Sequence, residues 1–472
     1  MRYVSTRGEA ESLGFADALL KGLADDGGLY LPESWPQFSP AMIEEFAGRP
    51  YADVAEAVFR PFVGDDIAPE ALRAMIDEAY ATFAHPAVAP LVQIGPAHFV
   101  LELFHGPTLA FKDVAMQLIA RLMDHVLKER GERATIVGAT SGDTGGAAIA
   151  AFAGSERTDL FILFPHGRVS PVQQRQMTTS GAANVHAVAV DGHFDDCQAL
   201  VKAMFNDRRF RDGVGLSGVN SINWGRIMAQ IVYYFTSAAS LGAPRRKITF
   251  TVPTGNFGDI FAGYAAMRMG LPIERLVIAT NANDILARTL STSRYETGHV
   301  EATMSPSMDI QVSSNFERLI FEASGRDAGL VRRLMSGLSQ SGGFELPAGV
   351  LAAIGQNFDA ASTDEAATAA TIRRILDACA YLLDPHTAVG VNVAETRATT
   401  PGTPTITLGT AHPAKFPAAV KAACGTEPAL PPTHAGLMER AERFDRLPAD
   451  LGAVEDYIKA RTRAAAMAGA RP

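Results

Sequence analysis

The sequence predicts an α/β protein with mainly parallel sheets flanked by helices, preceded by a mainly helical N-terminal domain. Strand-like and helical segments alternate from residue 96 to residue 280, whereas residues 1–95 carry short amphipathic helical patterns and almost no strands. Such alternation is typical of βαβ units, in which successive strands run parallel. In these sheets ligands bind at the carboxyl ends of the strands, where loops lead into helices.

The elements follow in order from hydrophobic periodicity and turn residues. The N-terminal helices are predicted at residues 15–23, 41–46, 52–58 and 69–83. The later strands are predicted at residues 99–103, 134–139, 160–164, 185–190, 248–252, 276–280 and 405–408. The later helices are predicted from residue 113 onward and at 143–152, 195–205, 224–240, 258–269, 316–323 and 366–382, with a loop-rich region at 281–315, loops or linkers at 399–404 and 425–434, and a helical tail after 434.

Composition restricts the class of protein. The 472 residues predict two or three domains, and 47% hydrophobic with 20% charged residues is typical of a globular protein. The net charge of −9, without a basic cluster, argues against a nucleic-acid partner. Three cysteines without CxxC spacing fit a reducing compartment. With no signal peptide or long apolar run, we expect a soluble cytoplasmic protein that has no membrane partner and is a monomer or a homodimer.

Lys112 lies where the loop after the strand 99–103 enters a helix. A lysine there is unfavourable by ~0.3–1 kcal/mol, because the helix dipole favours acidic residues at its start. Taken alone, Lys112 also fits a surface lysine whose stem covers Phe111. Its interpretation therefore depends on two loops further along the chain.

Two glycine-rich loops, at residues 138–147 and 253–259, follow strands and lead into helices. Their small residues let backbone N–H groups approach a ligand, and helix starts favour an anion. The first loop has neither the ending of a P-loop nor the dinucleotide GxGxxG pattern. Each loop alone also fits a tight turn, but together with Lys112 they indicate a ligand that carries a phosphate and a second anionic group.

The combination of Lys112 with two anion-binding loops predicts a particular cofactor. A lysine can attack a carbonyl and form a Schiff base. The phosphate-bearing aldehyde that reacts in this way is pyridoxal 5′-phosphate, an electron sink for carbanions at the Cα of amino acids. We therefore predict a pyridoxal-phosphate enzyme in which Lys112 is the point of covalent attachment.

Motifs spread over nearly the whole chain carry a resemblance to a known family. They lie at residues 3–8, 26–30, 105–117, 139–147, 170–173, 220–226, 255–259, 305–310, 313–318, 384–390 and 408–416. Together they resemble threonine synthases of the longer kind found in many bacteria and fungi. The resemblance implies a fold-type-II pyridoxal-phosphate enzyme, similar in its core to tryptophan synthase β, that converts O-phospho-L-homoserine and water into L-threonine and phosphate.

The resemblance also implies a domain division. Residues 1–95 form the N-terminal domain, and residues 96–424 form the cofactor-binding region of two α/β subdomains. The smaller subdomain, roughly residues 130–245, is inserted in the larger one. Residues 425–472 form a C-terminal helical tail.

Site residues are carried over by matching motifs. Lys112 matches the lysine that binds the cofactor covalently, and it would then serve as the base at Cα and Cβ, which requires a pKa lowered by burial. Thr410 matches the hydroxyl residue near the pyridine nitrogen. The loop that holds the cofactor phosphate corresponds to Gly255, Asn256, Phe257, Gly258 and Asp259. The loop over the substrate carboxylate and the cofactor's phenolic oxygen corresponds to Ser141, Gly142, Asp143 and Thr144, where many fold-type-II relatives have Asn in place of Asp143.

The substrate phosphate needs a site of its own. The candidates, each of which also fits a structural role, are Arg226, Asn223, Arg318 and Lys415. His105, His386 and His412 lie beside turns and are interpreted as orienting residues rather than acid–base catalysts. No metal-ligand spacing is present, so we expect no catalytic metal.

Three other functions remain open from the residues. The nearest is another fold-type-II enzyme, such as a serine/threonine dehydratase. A relative that binds phosphorylated ligands without turnover is a second, although the intact Lys112 argues against it. A nucleotide-binding α/β protein is the third, and the sequence lacks its fingerprint.

Overall fold

The structure, a computed structural model, describes residues 1–397, 400 and 402–464. It confirms the α/β class with mostly parallel strands and a mainly helical N-terminal region. Residues 399 and 401 of the predicted linker, and residues 465–472 of the predicted tail, lie outside the described residues.

The strands and helices are numbered in chain order. The strands are β1 (Tyr3–Ser5), β2 (Tyr30–Pro32), β3 (Leu91–Gly95), β4 (His98–Glu102), β5 (Ala134–Ala139), β6 (Thr158–Pro165), β7 (Val185–Asp191), β8 (Leu216–Ser217), β9 (Ile248–Pro253), β10 (Ile273–Thr280), β11 (Arg294–Glu296), β12 (Gly343–Glu345), β13 (Phe358–Ser362), β14 (Thr405–Gly409) and β15 (Asp445–Pro448). The helices are α1 (Phe15–Lys21), α2 (Pro40–Glu44), α3 (Tyr51–Val63), α4 (Pro69–Tyr80), α5 (Lys112–Arg130), α6 (Asp143–Phe152), α7 (Pro171–Thr178), α8 (Phe194–Asn206), α9 (Arg208–Gly213), α10 (Trp224–Ser240), α11 (Gly258–Arg268), α12 (Ile285–Thr292), α13 (Phe316–Ala323), α14 (Ala328–Ser341), α15 (Ala348–Gly355), α16 (Glu365–Cys379), α17 (Pro385–Thr396), α18 (Pro417–Cys424) and α19 (Leu451–Lys459). Short 3-10 turns lie at Gly64–Asp66, Pro306–Met308, Pro413–Lys415, Pro432–His434 and Leu437–Glu439.

The larger sheet has six strands in the order β13-β10-β9-β14-β4-β3. All its neighbouring pairs are parallel except β3 with β4, which form an antiparallel pair at one edge. The strands β4, β9 and β14 are neighbours or next neighbours in this order, so the loops that follow them meet at one edge of the sheet.

The smaller sheet has five strands in the order β15-β7-β6-β5-β8, all parallel. Its strand β15 lies in the tail that the sequence analysis predicted to be helical, and that prediction is wrong here. The segment Asp445–Pro448 is a short edge strand with little apolar patterning, and it forms by pairing with β7 far back in the chain. Such non-local pairing leaves no local sequence signal.

The region 281–315, predicted to be loop-rich, contains α12 and β11. The strand β11 pairs with β12, which lies more distantly in sequence, so its local pattern is also weak. The helix α17 was not predicted either, because glycine and β-branched residues give it low intrinsic helix propensity. It begins with Asp384 as its N-cap, which accepts the N–H groups of His386 and Thr387.

The N-terminal region packs around the buried helix α10. The indole of Trp224, at the start of this helix, lies 6.1 Å from the ring of Tyr3, 6.0 Å from Trp35 and 5.6 Å from Phe62, measured between ring centroids. These aromatic residues belong to the same hydrophobic core as the helices and strands of the larger sheet. The N-terminal region therefore shares the main core with the cofactor-binding region predicted from residue 96 onward. Of the helices in the described residues, none combines the length and apolar character needed to span a bilayer.

Candidate active site

The predicted site residues lie at the carboxyl ends of strands from both sheets. Lys112, the loop 255–258 and Thr410 follow strands β4, β9 and β14 of the larger sheet. The loop 140–144 follows β5 of the smaller sheet. The site therefore lies where the two sheets face each other, the position at which parallel α/β sheets bind ligands.

Lys112 is the first residue of α5 and is buried, with 9% of its surface exposed. Its Nζ lies 3.4 Å from Oδ2 of Asp143 and 3.5 Å from Oγ of Ser307. Burial lowers the pKa of the Lys112 amine, and the nearby cations Arg226 and Lys415 lower it further, against the opposing effect of Asp143. The amine is therefore easier to deprotonate than an ordinary lysine.

The turn before Lys112 is held by Asp113. Its carboxylate accepts the N–H of Thr108 at 2.7 Å and the hydroxyl of the same residue at 2.7 Å. Burial raises the pKa of Asp113 to about 6. A side chain at Gly106 would collide with Asp113, so the turn can close only around a glycine.

Asp143 opens α6 and faces two lysines. Its Oδ1 accepts from Nε2 of Gln173 at 2.8 Å and lies 3.1 Å from Nζ of Lys415. Its Oδ2 accepts from Oγ of Ser307 at 3.3 Å and faces Lys112. Burial alone would raise the pKa of Asp143, but Lys415 and Lys112 outweigh it and hold the pKa well below the ordinary value. Asp143 is therefore a carboxylate.

The loop that carries Asp143 is fixed by Thr140, whose hydroxyl accepts the N–H groups of Gly142 and Gly145 at 2.9 Å each. Gly142 adopts a φ of 138°, and Gln173 occupies the space that a Cβ would need. The hydroxyls of Ser141 and Thr144 form no hydrogen bond with any residue that the structure describes. These two hydroxyls are free to bind a ligand.

The loop 255–258 presents free backbone donors. No acceptor among the described residues bonds the N–H groups of Gly255, Asn256, Phe257 or Gly258. The carbonyls are held instead, because Ser313 donates to the Gly255 oxygen at 2.6 Å and Asn315 donates to the Asn256 oxygen at 2.9 Å.

The backbone shape of this loop also depends on close packing. Phe257 adopts a φ of 64° as the N-cap of α11. A Cβ at Gly255 would lie 2.9 Å from the carbonyl oxygen of Ser307. Unbonded N–H groups at a helix start form an anion site, so these residues fit a cofactor phosphate.

The side chain of Asp259 points away from the loop, toward α10. It accepts hydrogen bonds from the hydroxyls of Tyr233 and Tyr234, and its Oδ2 is buried without a hydrogen-bond partner among the described residues. Burial raises the pKa of Asp259 to about 7. Asp259 therefore anchors the first turn of α11 to α10.

Thr410 lies beside the turn that carries Lys112. Its carbonyl accepts the N–H of Phe111 at 2.8 Å, and its own N–H donates to the hydroxyl of Thr387 at 3.2 Å. The Thr410 hydroxyl is unbonded within the described part of the chain. It is therefore available to a ligand, as the sequence comparison implied for the residue near the pyridine nitrogen.

Arg226 is a buried cation with a spare donor. Its Nη1 donates to the carbonyl of Val219 at 3.3 Å, while its Nε is buried without a partner. No carboxylate of the described residues forms an ion pair with it, and burial lowers its pKa to about 10. Arg226 also lowers the pKa of Lys112, so its charge acts on the site.

The structure gives the three other phosphate candidates structural contacts. Asn223 caps α10 by accepting the N–H of Gly225 at 2.9 Å and donates to the carbonyl of Leu19 at 2.8 Å. Lys415 is fully buried, and its ammonium group bonds Asp143 and two other oxygens.

Arg318 is also fully buried and is held by carbonyls. It donates to the carbonyl of Tyr30 at 2.9 Å, to the carbonyl of Ile222 at 2.6 Å and to the side chain of Asn315. Burial lowers its pKa to about 9. Because Asn315 holds the loop 255–258, Arg318 links that loop to β2.

Sequence reasoning did not single out Ser307, which joins the two glycine-rich turns. Its hydroxyl faces Lys112 and Asp143, its carbonyl lies against Gly255, and its N–H donates to Nε2 of His386 at 3.2 Å. Ser307 lies in a 3-10 turn rather than at a strand end. Only its place in one of the family-like motifs could have identified it.

Gln173 was also missed, because its local pattern has a structural explanation. It completes a capping box with Ser170, in which the Ser170 N–H donates to Oε1 of Gln173 at 3.1 Å. This bond fixes the amide so that its Nε2 faces Asp143. His386 accepts from Ser307 and bonds Asp384 at 2.9 Å, which fits the predicted orienting role.

Comparisons with known proteins agree along the whole chain. A family model described as "Threonine synthase N terminus" matches residues 2–80, one described as "Pyridoxal-phosphate dependent enzyme" matches residues 84–408, and one described as "Threonine synthase, C-terminal" matches residues 387–458. The threonine synthase of Pseudomonas aeruginosa is 52% identical over 459 residues, which cover 97% of this chain and 98% of that protein. The threonine synthase of Saccharomyces cerevisiae is 43% identical over 452 residues, which cover 89% of this chain and 88% of that protein. The crystal structure of pyridoxal-phosphate-bound threonine synthase from Brucella melitensis superposes with a TM-score of 0.96 and 63% identity, covering 98% of this chain and 100% of that one.

Proposed function

This chain belongs to the threonine synthase family of pyridoxal-phosphate-dependent enzymes, and we propose that its site between the two sheets converts O-phospho-L-homoserine and water into L-threonine and phosphate. The observation that carries the proposal is a buried lysine with a lowered pKa beside a loop of free N–H groups. Lys112 would bind the cofactor covalently, and the N–H groups of residues 255–258 would hold its phosphate.

Bound pyridoxal phosphate supplies an electron sink that acidifies the C–H bonds of an attached amino acid. The Thr410 hydroxyl would lie at the pyridine nitrogen, where a neutral partner leaves the nitrogen largely unprotonated. Ser141 and Thr144 would bind the substrate carboxylate, because their hydroxyls and the helix start of α6 favour an anion. Gly142, which has no side chain, would let the backbone approach it.

Lys112 would move the protons. Its neutral amine would take the proton from Cα and, after passing that proton on, a proton from Cβ, while the C–O bond at Cγ breaks and phosphate leaves with the bonding electrons. The two protons would return to Cγ and Cα, water would add its hydroxyl at Cβ, and the remaining water proton would go to the phosphate. Burial suits Lys112 to this task, because a lysine of ordinary pKa stays protonated near neutral pH. The carboxylate of Asp143 stabilises the ammonium form between these transfers.

Arg226 is the proposed ligand of the substrate phosphate. It is the phosphate candidate whose guanidinium keeps a buried, unbonded donor, within the part of the chain that the structure describes. Its planar donor group matches a phosphate better than a lysine does. Asn223, Arg318 and Lys415 already donate hydrogen bonds to protein oxygens.

The experiment that tests this function combines a chemical tag with an assay of two products. Borohydride reduction of the holoenzyme, followed by digestion and mass spectrometry, should place the pyridoxyl tag on the peptide that contains Lys112. The peptide with Lys415, another buried lysine of the site, is the internal control. A tag on Lys415, or none, would refute the assignment.

The assay separates the family's activity from the dehydratase alternative. We expect phosphate release from O-phospho-L-homoserine and no comparable ammonia release from threonine. Ammonia release at the higher rate would favour the dehydratase. A protein that binds the cofactor and turns over neither substrate would favour the binding-only alternative.

We further propose the predicted division into residues 1–95, 96–424 and 425–472, with the smaller subdomain at roughly 130–245. The five-stranded sheet supports the smaller subdomain, and β15 joins the tail to it. A cytoplasmic monomer or homodimer is also proposed. The three cysteines, Cys197, Cys379 and Cys424, are free, as expected in a reducing compartment.

A further inference from the structure

Lys415 is a fully buried cation whose ammonium group faces three protein oxygens. Its Nζ lies 3.1 Å from Oδ1 of Asp143, 2.6 Å from the carbonyl oxygen of Thr108 and 2.9 Å from Oε1 of Gln176. It thereby connects the helix start that carries Asp143 with the turn that carries Lys112. The contacts of this ammonium group are therefore with protein oxygens on both sides of the site.

The two oxygens of Asp143 face different partners. Oδ1 faces Lys415 and Gln173, which take no part in the proposed proton transfers, whereas Oδ2 faces Lys112 and Ser307. Lys112 must give up and regain its charge if it acts as a base. Asp143 therefore has one counter-charge, on Lys415, that is constant during the proposed reaction. Its second counter-charge, on Lys112, is lost whenever Lys112 gives up its proton.

This difference creates a problem of charge balance that Lys415 solves. A buried carboxylate without a cation is strongly unfavourable, so Asp143 alone would hold Lys112 in its ammonium form. A neutral amine is needed to remove a proton from the substrate. A second, fixed cation keeps Asp143 ionised while reducing its hold on the Lys112 proton.

We propose that Lys415 is a positioning residue, a permanent counter-ion that keeps Asp143 ionised and oriented throughout turnover so that Lys112 can lose and regain its proton. This inference rests on the proposed role of Lys112 as covalent attachment point and base. It gives Lys415 a function other than binding the substrate phosphate.

The electrostatic surroundings agree with this assignment. Lys415 and Lys112 lower the pKa of Asp143 against the effect of burial, and Lys415 lowers the pKa of Lys112. The other charged or titratable groups that face this cluster are His386 toward Asp143, Asp113 and His434 toward Lys415, and Arg226 and Asp259 near Lys112.

The test measures the pH dependence of the holoenzyme in two ways: the visible absorbance of the bound cofactor without substrate, and turnover with substrate. Lys415→Met removes the charge and keeps the length of the side chain. Because loss of a cation raises the pKa of the groups that faced it, the acid limb of both profiles should move up by about 1–3 pH units. Lys421→Met, which removes an exposed lysine from α18, is the matched control and should leave both profiles in place.

Three further variants make the result independent of a single substitution. Asp143→Asn should move the acid limb to lower pH, because the Lys112 ammonium loses a neighbouring anion. The double variant Asp143→Asn/Lys415→Met replaces the ion pair by two neutral groups and should bring the limb back to within about half a pH unit of the parent. Lys415→Arg keeps the charge, so its limb should stay in place even where turnover falls.

A purely structural role of Lys415 would lower turnover or cofactor content in Lys415→Met without moving the limb, and that result would overturn the inference. If Lys415→Met does not fold, the other variants decide. An acid limb that fails to move to lower pH in Asp143→Asn, or that moves to higher pH in Lys415→Arg, would overturn the inference. The reduced pyridoxyl tag is measured in parallel. A tag missing from Lys112 in the parent protein refutes both proposals, whereas a tag present with an unmoved limb refutes only the role of Lys415.

Discussion

The two glycine-rich turns have similar sequences but are prepared to bind anions by different means. The turn at residues 140–144 contains a charged residue, Asp143, and its geometry depends on side chains that include two lysines and a glutamine. The turn at residues 255–258 has no charged side chain and presents backbone N–H groups. Under the proposed function, the first turn would control proton transfer through charge, whereas the second would hold the cofactor phosphate through backbone dipoles.

This difference determines what a substitution changes in each turn. Substitutions in the turn 255–258 should alter the affinity for the cofactor, because the backbone itself is the ligand. Substitutions around Asp143 should alter the pH dependence of turnover, because the charges around Asp143 affect how readily Lys112 loses its proton. Ser307 contacts both turns and is the residue at which the two effects would combine.

The largest effect is expected for Lys112→Ala, which removes the group that both turns serve. Turnover should fall by roughly 10²–10⁴-fold or more, because the base is lost together with the covalent attachment. The measurement is phosphate release from O-phospho-L-homoserine, combined with the absence of a borohydride-reducible adduct. Lys421→Ala is the control, and turnover retained in Lys112→Ala would remove the basis of the comparison.

A matched pair of arginine variants separates a ligand-binding residue from a structural one. Arg226→Leu should raise KM for O-phospho-L-homoserine by about 10–100-fold, since a hydrogen bond to a charged group contributes about 1.5–3 kcal/mol. Arg318→Leu removes bonds to the carbonyls of Tyr30 and Ile222 and should lower the thermal midpoint instead. An unchanged KM in a folded Arg226→Leu protein would exclude Arg226 as the phosphate ligand.

Glycine variants test the comparison directly. Gly255→Ala places a Cβ against the Ser307 carbonyl and should weaken cofactor binding by about tenfold, equivalent to about 1.4 kcal/mol. Gly142→Ala displaces Gln173 from Asp143 and should change the pH profile of turnover more than the cofactor affinity. Cofactor titration of the two apoproteins and their pH profiles provide the measurements. If both variants changed the cofactor affinity and the pH profile equally, the proposed difference between the two turns would be wrong.

The smallest effect on turnover is expected for Asp259→Asn. Burial raises the pKa of Asp259 to about 7, above the value in an unfolded chain, so the folded state binds the proton more tightly. The free energy of unfolding of the parent should therefore fall as the pH rises from about 4 to about 7. In Asp259→Asn, the part of this fall that comes from Asp259 should be absent. The thermal midpoints of both apoproteins over this pH range measure this difference in stability. If the midpoints of the parent and the variant changed with pH in parallel, the raised pKa of Asp259 would be contradicted.

The sequence predicted the strand-end loops well because they carry local signals. Lys112 at a helix start and glycines at residues 142, 255 and 258 are visible without a structure. Ser307, Gln173 and the role of Lys415 were not predictable from local pattern, because each acts through contacts with residues distant in the chain. The burial of Arg318 behind Tyr30 likewise depends on packing between the N-terminal region and α13, which a single sequence does not show.

The strand β15 has a consequence for how the protein is made. It completes the smaller sheet by covering the edge of β7, an apolar strand whose backbone groups would otherwise face solvent. An uncovered strand edge invites pairing with other chains. Because β15 follows β7 at a long distance along the chain, β7 stays open until β15 has been synthesised, so chains that terminate between these two strands should aggregate through this edge.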